Sequence, residues 1–423
     1  MSGYNLDGFS KLSRSKRFEK LLELGCLTKK DVKLLQGPYP IPVELAENFI
    51  ENVIGYFPMP FGVATHFVID NKDYIIPMVV EETSIIAAAS KTAKWIKNNG
   101  TIITESLGSL SIGQIQIADV KDFNNLKNIL EKNKLDLINQ ANLKVANGLV
   151  ARGGGVINLE IKKLDNMAII HVLVDTCEAM GANIINQVCE FLKKPIEQLS
   201  LEKVSICILT NLVDTKLVKA KVTLKNLDPN LCLKIEQASR FAEKDPYRAA
   251  TNNKGVLNGI DPILLATGND WRAVEAGVHS YASANGKYSS ITKWRSKNSG
   301  TLVGTLIAPI VVGTVGGVTK LHPMAKMSLQ ILKISSSKEL SKVCAAAGLV
   351  QNLGALKALT TEGIIEGHMK LHIKNLVMSI NEEEKLNNKE SELLSSGLEN
   401  LLIKTKRVSL QHAKTILTEI RYK

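Results

Sequence analysis

The 423-residue sequence has few aromatic residues, no cysteine pair and none of the common short catalytic signatures. Aromatic residues form 5% of the chain and are not interleaved with the basic residues, so the stacking surfaces of nucleic-acid-binding proteins are not evident. The six cysteines are scattered without a CxxC motif, which indicates reduced thiols rather than a disulfide framework. GxSxG, GxxxxGK followed by Ser or Thr, and the EF-hand loop are absent, which argues against those enzyme and calcium-binding classes.

The uncharged run that most resembles a membrane span is interrupted. Residues 298–319 carry no charge, but glycines and a proline interrupt them, and their β-branched residues predict a buried strand and turn rather than a membrane span. The basic stretch at residues 11–20 is not followed by the apolar run of a signal peptide. We therefore predict a cytoplasmic protein without a membrane segment.

Positive charge is in excess, with 53 Lys and Arg against 41 Asp and Glu and a formal net charge of +12. Such a balance favours partners that carry phosphate: nucleic acid, an anionic membrane or a phosphorylated cofactor. Charge alone does not choose among the three. With 45% apolar residues, the chain is long enough for two or three domains, each with its own core.

The order of predicted elements divides the chain into four segments. Residues 1–109 begin with helices predicted over residues 8–36 and 43–54, followed by a β-hairpin that turns at residues 71–73. Residues 110–216 alternate as strand, helix, hairpin, helix and strand, which predicts an inserted α+β domain. Residues 217–374 return to helix and glycine-rich loop, and residues 375–423 have the pattern of amphipathic helices on a hinge. The predicted fold class is α+β.

Residues 245–270 hold Arg248, Lys254, Asn258 and Asp270 among glycines and prolines, a composition that predicts irregular backbone between helices. Loops held by rigid elements often carry binding groups, although an ordinary solvated loop would have the same composition. Asp270 directly precedes a helical pattern and is a candidate N-cap residue. A carboxylate there would also keep Lys254 charged, and Lys254 would then stabilise a developing oxyanion.

Two adjacent carboxylates, Glu81 and Glu82, lie at a predicted junction of strand and helix with apolar flanks. Acidic residues are common in the first turn of a helix because of the helix dipole. A carboxyl group that faces a dry pocket has a raised pKa and can act as a proton donor near neutral pH. Both interpretations remain open from the residues alone.

Residues 175–183 follow a predicted strand and open a helix with small residues, an arrangement that can hold phosphate at a helix N-terminus. Small residues are equally typical of tight packing between a helix and a sheet. Cys177, in the same segment, is interpreted as an inert thiol. His368 and His372 have the i, i+4 spacing of a metal pair. Met369 replaces the catalytic glutamate of HExxH, and no third ligand is near in sequence, so we expect no metal.

Six short motifs occur in a fixed order along the chain: ENVIG at residues 51–55, VEE at 80–82, EAMGAN at 178–183, NKGVLNG at 253–259, TGND at 267–270 and EGH at 366–368. This series resembles the 3-hydroxy-3-methylglutaryl-coenzyme A (HMG-CoA) reductases, and in particular their soluble class of bacteria and archaea. The resemblance covers nearly the whole chain. It implies reduction of HMG-CoA to mevalonate and free CoA with two NAD(P)H, or the same reaction run oxidatively in mevalonate catabolism.

The resemblance also implies roles for individual residues. Glu82 would be the proton donor, Lys254 would stabilise the thioester oxygen, Asp270 would tune both, and His368 would protonate the departing CoA thiolate. Substrate would be bound by Ser84, Arg248 and Asn258. The dinucleotide would meet residues 175–183, with these candidates: Asp175, Glu178, Met180, Gly181, Ala182 and Asn183.

The architecture that the resemblance implies is a large mixed α/β substrate domain, built from residues 1–109 and 217–374. An inserted ferredoxin-like dinucleotide-binding domain would occupy residues 110–216, and a helical flap residues 375–423. The family forms homodimers or assemblies of dimers with sites at the interface. Val145, with Lys144 beside it, stands where members that prefer NADH have an acid, so we favour NADPH over NADH. The resemblance also implies no metal, no membrane and no nucleic-acid partner. The competing hypotheses are a non-catalytic CoA- or nucleotide-binding protein and a nucleic-acid-binding protein.

Overall fold

The computed structural model describes residues 4–37, 41–297, 300–361, 364–405 and 407–422, and for residues 364–372 the backbone alone. The N-terminal region begins with a short 3-10 helix, Phe9–Lys11. Three α-helices follow: α1 Arg14–Glu23, α2 Lys29–Gln36 and α3 Val43–Ala46.

The prediction of one helix over residues 8–36 was wrong, because the chain breaks between α1 and α2. Gly25 has a φ of 63°, and Thr28 and Asp31 form a capping box that starts a new helix. The predicted helix over residues 43–54 ends early, at Ala46. Asn52 has a φ of 56°, in the left-handed region, and is therefore not part of a helix.

A β-hairpin, helix and strand come next: β1 Phe61–Ile69, β2 Lys72–Val79, α4 Ile85–Asn99 and β3 Gly100–Leu107. The predicted hairpin is confirmed, since β1 and β2 pair antiparallel with Ile69 opposite Lys72. Its turn, expected at residues 71–73, is instead at residues 70–71, because Lys72 and Asp73 already pair within β2. The two turn residues, Asp70 and Asn71, both have positive φ, as a type I′ turn requires.

Residues 110–216, between β3 and the strand that begins at Leu217, contain a separate four-stranded antiparallel sheet with its own helices. Its elements are β4 Leu110–Ile117, α5 Phe123–Lys144, α6 Asn147–Val150, β5 Gly155–Leu164, β6 Met167–Asp175, α7 Ala182–Ser200 and β7 Ile206–Leu209. The strand order is β5-β6-β4-β7, which with the two crossover helices is the ferredoxin-like arrangement. Buried apolar residues of α5, α7 and the sheet form one core, among them Leu137, Val172 and Leu192. We call this part the inserted unit.

The remaining elements complete a six-stranded sheet in the order β2-β1-β3-β8-β10-β9. They are β8 Leu217–Leu224, α8 Pro229–Lys244, α9 Pro246–Ala266, α10 Trp271–Ala282, β9 Thr292–Lys297, β10 Thr301–Ala308, α11 Gly317–Leu321, α12 Pro323–Leu332 and α13 Ser337–Thr360. Leu107 of β3 pairs with Leu217 of β8, so the chain leaves this sheet for the inserted unit and returns at adjacent positions. We call the part around this sheet the large unit.

The uncharged segment forms the strand β10, which confirms a strand and turn there within the described residues. In contrast, α13 is long and apolar enough to cross a membrane by length and composition. It is mostly buried, however, and lies in the core of the large unit. No other helix of the described residues meets that length and composition.

The prediction of irregular backbone at residues 245–270 was wrong, because Pro246–Ala266 is one helix, α9. Pro246 lies in the first turn, where proline is tolerated, and the Asp245 side chain caps the helix by accepting from the backbone N–H of Tyr247. Gly259 permits close packing, since a Cβ there would lie 2.6 Å from the carbonyl oxygen of Ala347 in α13. The prolines and glycines therefore mark a helix start and a helix contact.

Three helices end the chain: α14 Ile364–Glu384, α15 Asn388–Thr405 and α16 Leu410–Arg421. They share a small apolar core that includes Ile373, Ile380, Leu394 and Leu417. Because α14 is continuous across residues 374 and 375, the helical unit begins earlier than the expected boundary at residue 375.

Candidate active site

Lys254 and Glu82 meet although 172 residues separate them in sequence. The Lys254 Nζ lies 3.1 Å from the Glu82 Oε2, so the ammonium group donates to the carboxylate. Lys254 lies in the third turn of α9, and Glu82 lies in the connection between β2 and α4. The side chains are 62% and 41% exposed, so the expected dry pocket around Glu82 is not formed by the described residues of this single chain.

Ser84 lies two residues beyond Glu82, at the N-cap of α4, in an unusual conformation. Its φ is 76°, and its side chain makes no capping hydrogen bond. The Oγ atom is buried and has no hydrogen-bond partner among the described residues. Strained backbone and an unpaired buried hydroxyl together are features that proteins keep at binding sites.

Arg248 and Asn258 flank Lys254 on α9. Arg248 is half-buried, and burial lowers the pKa of its guanidinium. Within the part of the chain described, it forms no ion pair and no hydrogen bond, so its donors are open to an anionic ligand. Asn258 lies one turn after Lys254 and is also half-exposed, so the helix presents both side chains near one another.

Asp270 caps α10, which confirms the N-cap prediction. Its Oδ1 accepts a hydrogen bond from the backbone N–H of Ala273 at 3.1 Å and lies 3.4 Å from the Arg272 Nε. The described contacts of the carboxylate are therefore with its own helix. Lys254 and Glu82 are not among them.

The side of α9 that faces the core carries a buried amide network, which the sequence interpretation missed. The Asn252 Nδ2 donates to the Ser290 Oγ at 2.8 Å, and its Oδ1 accepts from the Asn352 Nδ2 at 2.9 Å. Asn352 in turn accepts from the Trp294 indole at 2.8 Å. Consecutive asparagines before Lys254 were the only sequence signal, and asparagine alone does not predict burial.

Asn253 extends the network toward β9. Its Nδ2 donates to the Tyr288 hydroxyl at 3.0 Å, and its Oδ1 accepts from the backbone N–H of Ile291 at 3.1 Å. The Tyr288 hydroxyl also lies 2.7 Å from the His279 Nδ1 on α10. These contacts fix the rotation of α9 and with it the position of Lys254.

The segment at residues 175–183 runs from the end of β6 to the start of α7, which confirms the predicted helix N-terminus. Gly181 is the N-cap with a φ of 99°, and a Cβ there would lie 2.3 Å from the Thr176 side chain, so the position requires glycine. Asp175 accepts from the Ser109 hydroxyl and from the backbone N–H of Cys177. Asn183 is exposed in the first turn of α7.

Met180 and Ala182 line a cleft between the two units. On the inserted unit the cleft is bounded also by Ser111, Thr210 and Asn211. On the large unit it is bounded by Ala273 and Val274, in the first turn of the helix that Asp270 caps. The candidate cofactor segment and the Asp270 helix therefore face the same cleft.

The Glu178 carboxylate forms hydrogen bonds with other residues of the protein. Its Oε2 accepts from the backbone N–H of Ser337 at 2.5 Å and from the Thr314 hydroxyl at 3.3 Å. His368 lies in α14, and its side chain and that of His372 are outside the described residues. Within the described residues, no cluster of three His, Cys, Asp or Glu side chains forms a metal site.

Comparison with known families and proteins gives one consistent result. The family profile described as hydroxymethylglutaryl-coenzyme A reductase matches residues 13–373. The chain is 40% identical over 425 residues to the 3-hydroxy-3-methylglutaryl-coenzyme A reductase of Archaeoglobus fulgidus, covering 98% of this chain and 94% of that protein. It is 33% identical to the probable 3-hydroxy-3-methylglutaryl-coenzyme A reductase of Borreliella burgdorferi, covering 99% and 97%.

Solved structures agree with the sequence matches. The fold is similar to a class II 3-hydroxy-3-methylglutaryl-CoA reductase from Streptococcus pneumoniae bound to NADPH in open conformations, with a TM-score of 0.80 and 34% identity. That match covers 85% of this chain and all of the other. A further structure of a reductase from the same organism matches with a TM-score of 0.82 over 99% of this chain.

Proposed function

The chain belongs to the hydroxymethylglutaryl-coenzyme A reductase family, and from that premise we propose that the Lys254–Glu82 pair is its reaction centre. The protein is an NAD(P)H-dependent oxidoreductase that reduces HMG-CoA to mevalonate. The observation that carries the proposal is the 3.1 Å contact between these two side chains, which come from separate motifs and lie open to solvent beside a helix N-terminus.

Each residue of the pair has a defined task. The Lys254 ammonium donates hydrogen bonds to the substrate's carbonyl oxygen, whose negative charge grows as hydride adds to the carbonyl carbon. Glu82 holds the ammonium in place and delivers a proton to that oxygen after it takes one up from solvent. Any influence of Asp270 on the pair is through its charge, because its described hydrogen bonds are with its own helix and not with Lys254 or Glu82. The nicotinamide supplies the hydride when it is bound.

The substrate carboxylate is bound by Arg248 and Ser84, with Asn258 orienting the reacting end. Two observations support this assignment. The half-buried Arg248 has donors with no acceptor among the described residues, and the buried Ser84 Oγ has no partner there. A carboxylate can accept a hydrogen bond from each of these donors.

His368 protonates the CoA thiolate as it leaves, brought to the site by the helical unit of α14 to α16. Replacing His368 with Gln will slow reduction of the thioester much more than reduction of mevaldehyde, because only the thioester expels a thiolate. Equal losses in the two assays would contradict this role.

The dinucleotide binds beside Met180, Gly181, Ala182 and Asn183, at the mouth of the narrow cleft between the two units, with Asp175 at the start of the same segment. The inserted unit of residues 110–216 is thus the cofactor domain, and the large unit binds substrate. NADPH is preferred. Val145 packs against the apolar core of the inserted unit instead of presenting an acid, and the neighbouring Lys144 is exposed to attract a 2′-phosphate.

The protein acts as a cytoplasmic homodimer. Ile54 and Phe57 are 103% and 91% exposed, and Tyr247 on α9 is 88% exposed, so a partner chain would remove large apolar side chains from water. The six cysteines are all free thiols, as suits a reducing compartment.

The test is an assay of nicotinamide oxidation with HMG-CoA, run in parallel with NADPH and NADH. Two equivalents oxidised per mevalonate formed, with the faster rate for NADPH, is the expected result. A matched control is Lys234→Ala on α8, an exposed lysine outside the site, which will retain full activity. If neither NADPH nor NADH is oxidised by the folded protein, the proposed reaction is contradicted and a non-catalytic CoA-binding function is favoured instead.

A further inference from the structure

The inserted unit and the large unit have separate cores, and one small apolar cluster lies at their junction. It contains Ile112, Leu173 and Val213, with Val311 of the large unit packed against it. Further apolar side chains, such as Ile185 and Pro309, line the same junction. Hydrogen bonds between the two units add to this apolar contact and orient one unit against the other.

Glu178 makes several of these bonds at one point. Its carboxylate accepts from the backbone N–H of Ser337, the first residue of α13, and from the Thr314 hydroxyl. Its carbonyl accepts from the Thr314 N–H at 2.9 Å. The N-terminus of a 24-residue helix favours a carboxylate, because its free N–H groups and dipole attract negative charge.

Neighbouring contacts strengthen the same point. The Ser337 hydroxyl donates to the carbonyl of Cys177 at 3.3 Å, and Lys216 lies 3.4 Å from the Thr176 hydroxyl. Burial lowers the pKa of Lys216, and the Asp175 and Glu178 carboxylates oppose that effect. Gly313 allows the close approach, since a Cβ there would lie 2.7 Å from the backbone nitrogen of Met180.

The large-unit side of this contact leads to the loop that carries Asp270. The backbone N–H of Gly313 donates to the Asn269 Oδ1 at 2.8 Å, and Asn269 precedes Asp270. Residues 313–314 thus touch the inserted unit through Glu178 and Met180 and touch the Asp270 loop through Asn269. A displacement at Glu178 has a short hydrogen-bonded route to Asp270.

We propose that Glu178 is a positioning residue that latches the inserted unit onto the N-terminus of α13 and, through residues 313–314, aligns it with the Asp270 loop. This inference rests on the proposed function, and it departs from a direct cofactor contact for Glu178. The latch fixes how the hydride donor in the cleft is presented to substrate on the large unit. Cofactor affinity itself then depends little on Glu178.

Ser337 offers an unusually specific test. It is the first residue of α13, where proline is tolerated, and the preceding Ser336 has an extended backbone with a ψ of 159°. Ser337→Pro removes the N–H that Glu178 accepts and leaves Glu178 itself intact. Ser337→Ala keeps the N–H and removes only the hydroxyl, so it is the matched control.

The experiment measures turnover and NADPH affinity for Glu178→Ala, Glu178→Gln, the two Ser337 variants and the double variant Glu178→Ala with Ser337→Pro. Glu178→Ala and Ser337→Pro will each lower kcat about tenfold or more by misplacing the reacting groups, with the Kd for NADPH within about twofold of wild type. The double variant will be no worse than either single one. Glu178→Gln and Ser337→Ala will stay near wild type, since both keep an acceptor facing an N–H.

Other patterns overturn the latch. If Glu178 contacts the cofactor, Glu178→Ala will weaken NADPH binding, Ser337→Pro will be nearly normal, and the two losses will multiply. Hydrogen exchange at the amides of Gly313 and Thr314 gives a readout that needs no activity. Faster exchange in Glu178→Ala than in Glu178→Gln supports the latch even if wild type proves inactive, which would count against the proposed function alone. Equal exchange in both variants overturns the latch.

Discussion

The core-facing side of α9 is lined with amides that hydrogen-bond to distant elements, whereas its open side carries Lys254 with few contacts. Asn252 and Lys254 are two residues apart, and two residues correspond to about 200° around a helix, so neighbours in sequence lie on opposite faces. Asn252 is 3% exposed, while the Lys254 side chain is 62% exposed. The core-facing side holds the helix in place, and the solvent-facing side carries the proposed catalytic lysine.

This difference teaches that stability and activity are separable along a single helix. Asn252 and Asn253 bond to Thr292 of β9, to the loop before it and to α13, so they hold α9 from two sides. Lys254 has one described partner, Glu82, at an exposed position where an ion pair adds little stability. Substitutions on the two faces should therefore have opposite signatures.

The largest expected effect is on the open face. Lys254→Ala will lower kcat by at least about 100-fold, because it removes the cation that stabilises the developing oxyanion. The free energy of unfolding will change by less than about 1 kcal/mol, since the pair with Glu82 is exposed. Steady-state kinetics and urea unfolding on one preparation measure both, and near-normal turnover would remove Lys254 from the reaction.

A second change tests Arg248, the other candidate cation on α9. Arg248→Ala will raise the KM for HMG-CoA by about 10- to 100-fold, because a charged, two-donor contact with the substrate carboxylate is lost. Arg248→Lys will recover only part of that loss, since an ammonium cannot form the planar pair. An unchanged KM in both variants would place the carboxylate elsewhere.

On the buried face, Asn252→Ala will lower the free energy of unfolding by about 1–3 kcal/mol, because the Asn352 amide is left without its acceptor. Turnover per folded molecule will fall much less than in Lys254→Ala. Thr251→Ala, at an exposed position of the same helix, is the control and should leave the urea midpoint almost unchanged. If both substitutions lowered the free energy of unfolding by similar amounts, the buried amide network would not be what stabilises α9.

The smallest effect concerns Asp261, whose Oδ1 is buried on α9 without a partner among the described residues. Burial raises the pKa of Asp261, and the nearby Glu275 raises it further. The folded state therefore holds this proton more tightly than the unfolded state, so stability is lost as pH rises through the folded pKa. Asp261→Asn mimics the protonated form, and its stability relative to wild type should increase from pH 5 to pH 9 in urea unfolding. A constant difference would refute this titration.

Several elements could be predicted because their signals are local. The alternation of strand, helix and hairpin predicted the sheet of the inserted unit, and the first hairpin was predicted with its turn only about one residue from Asp70 and Asn71. The candidate pair Glu82 and Lys254 came from motif order. Their 3.1 Å contact depends on tertiary packing, which cannot be predicted from the spacing of residues within a short motif.

Other features could not be predicted, for identifiable physical reasons. Proline and glycine were taken as signs of a loop at residues 245–270, yet Pro246 starts α9 and Gly259 makes room for α13. The amide network joins Asn252 to partners 38 and 100 residues away, and no periodicity records such a contact. The left-handed backbone of Ser84 likewise depends on surroundings that a single sequence does not state.

The most direct test of the division between the two faces of α9 is a crossed measurement on Lys254→Ala and Asn252→Ala, with turnover per folded molecule and free energy of unfolding determined together. The account predicts that Lys254→Ala loses turnover and keeps stability, and that Asn252→Ala loses stability and keeps most turnover. The account would be contradicted if both variants lost turnover and stability in similar proportion, or if Lys254→Ala stayed active.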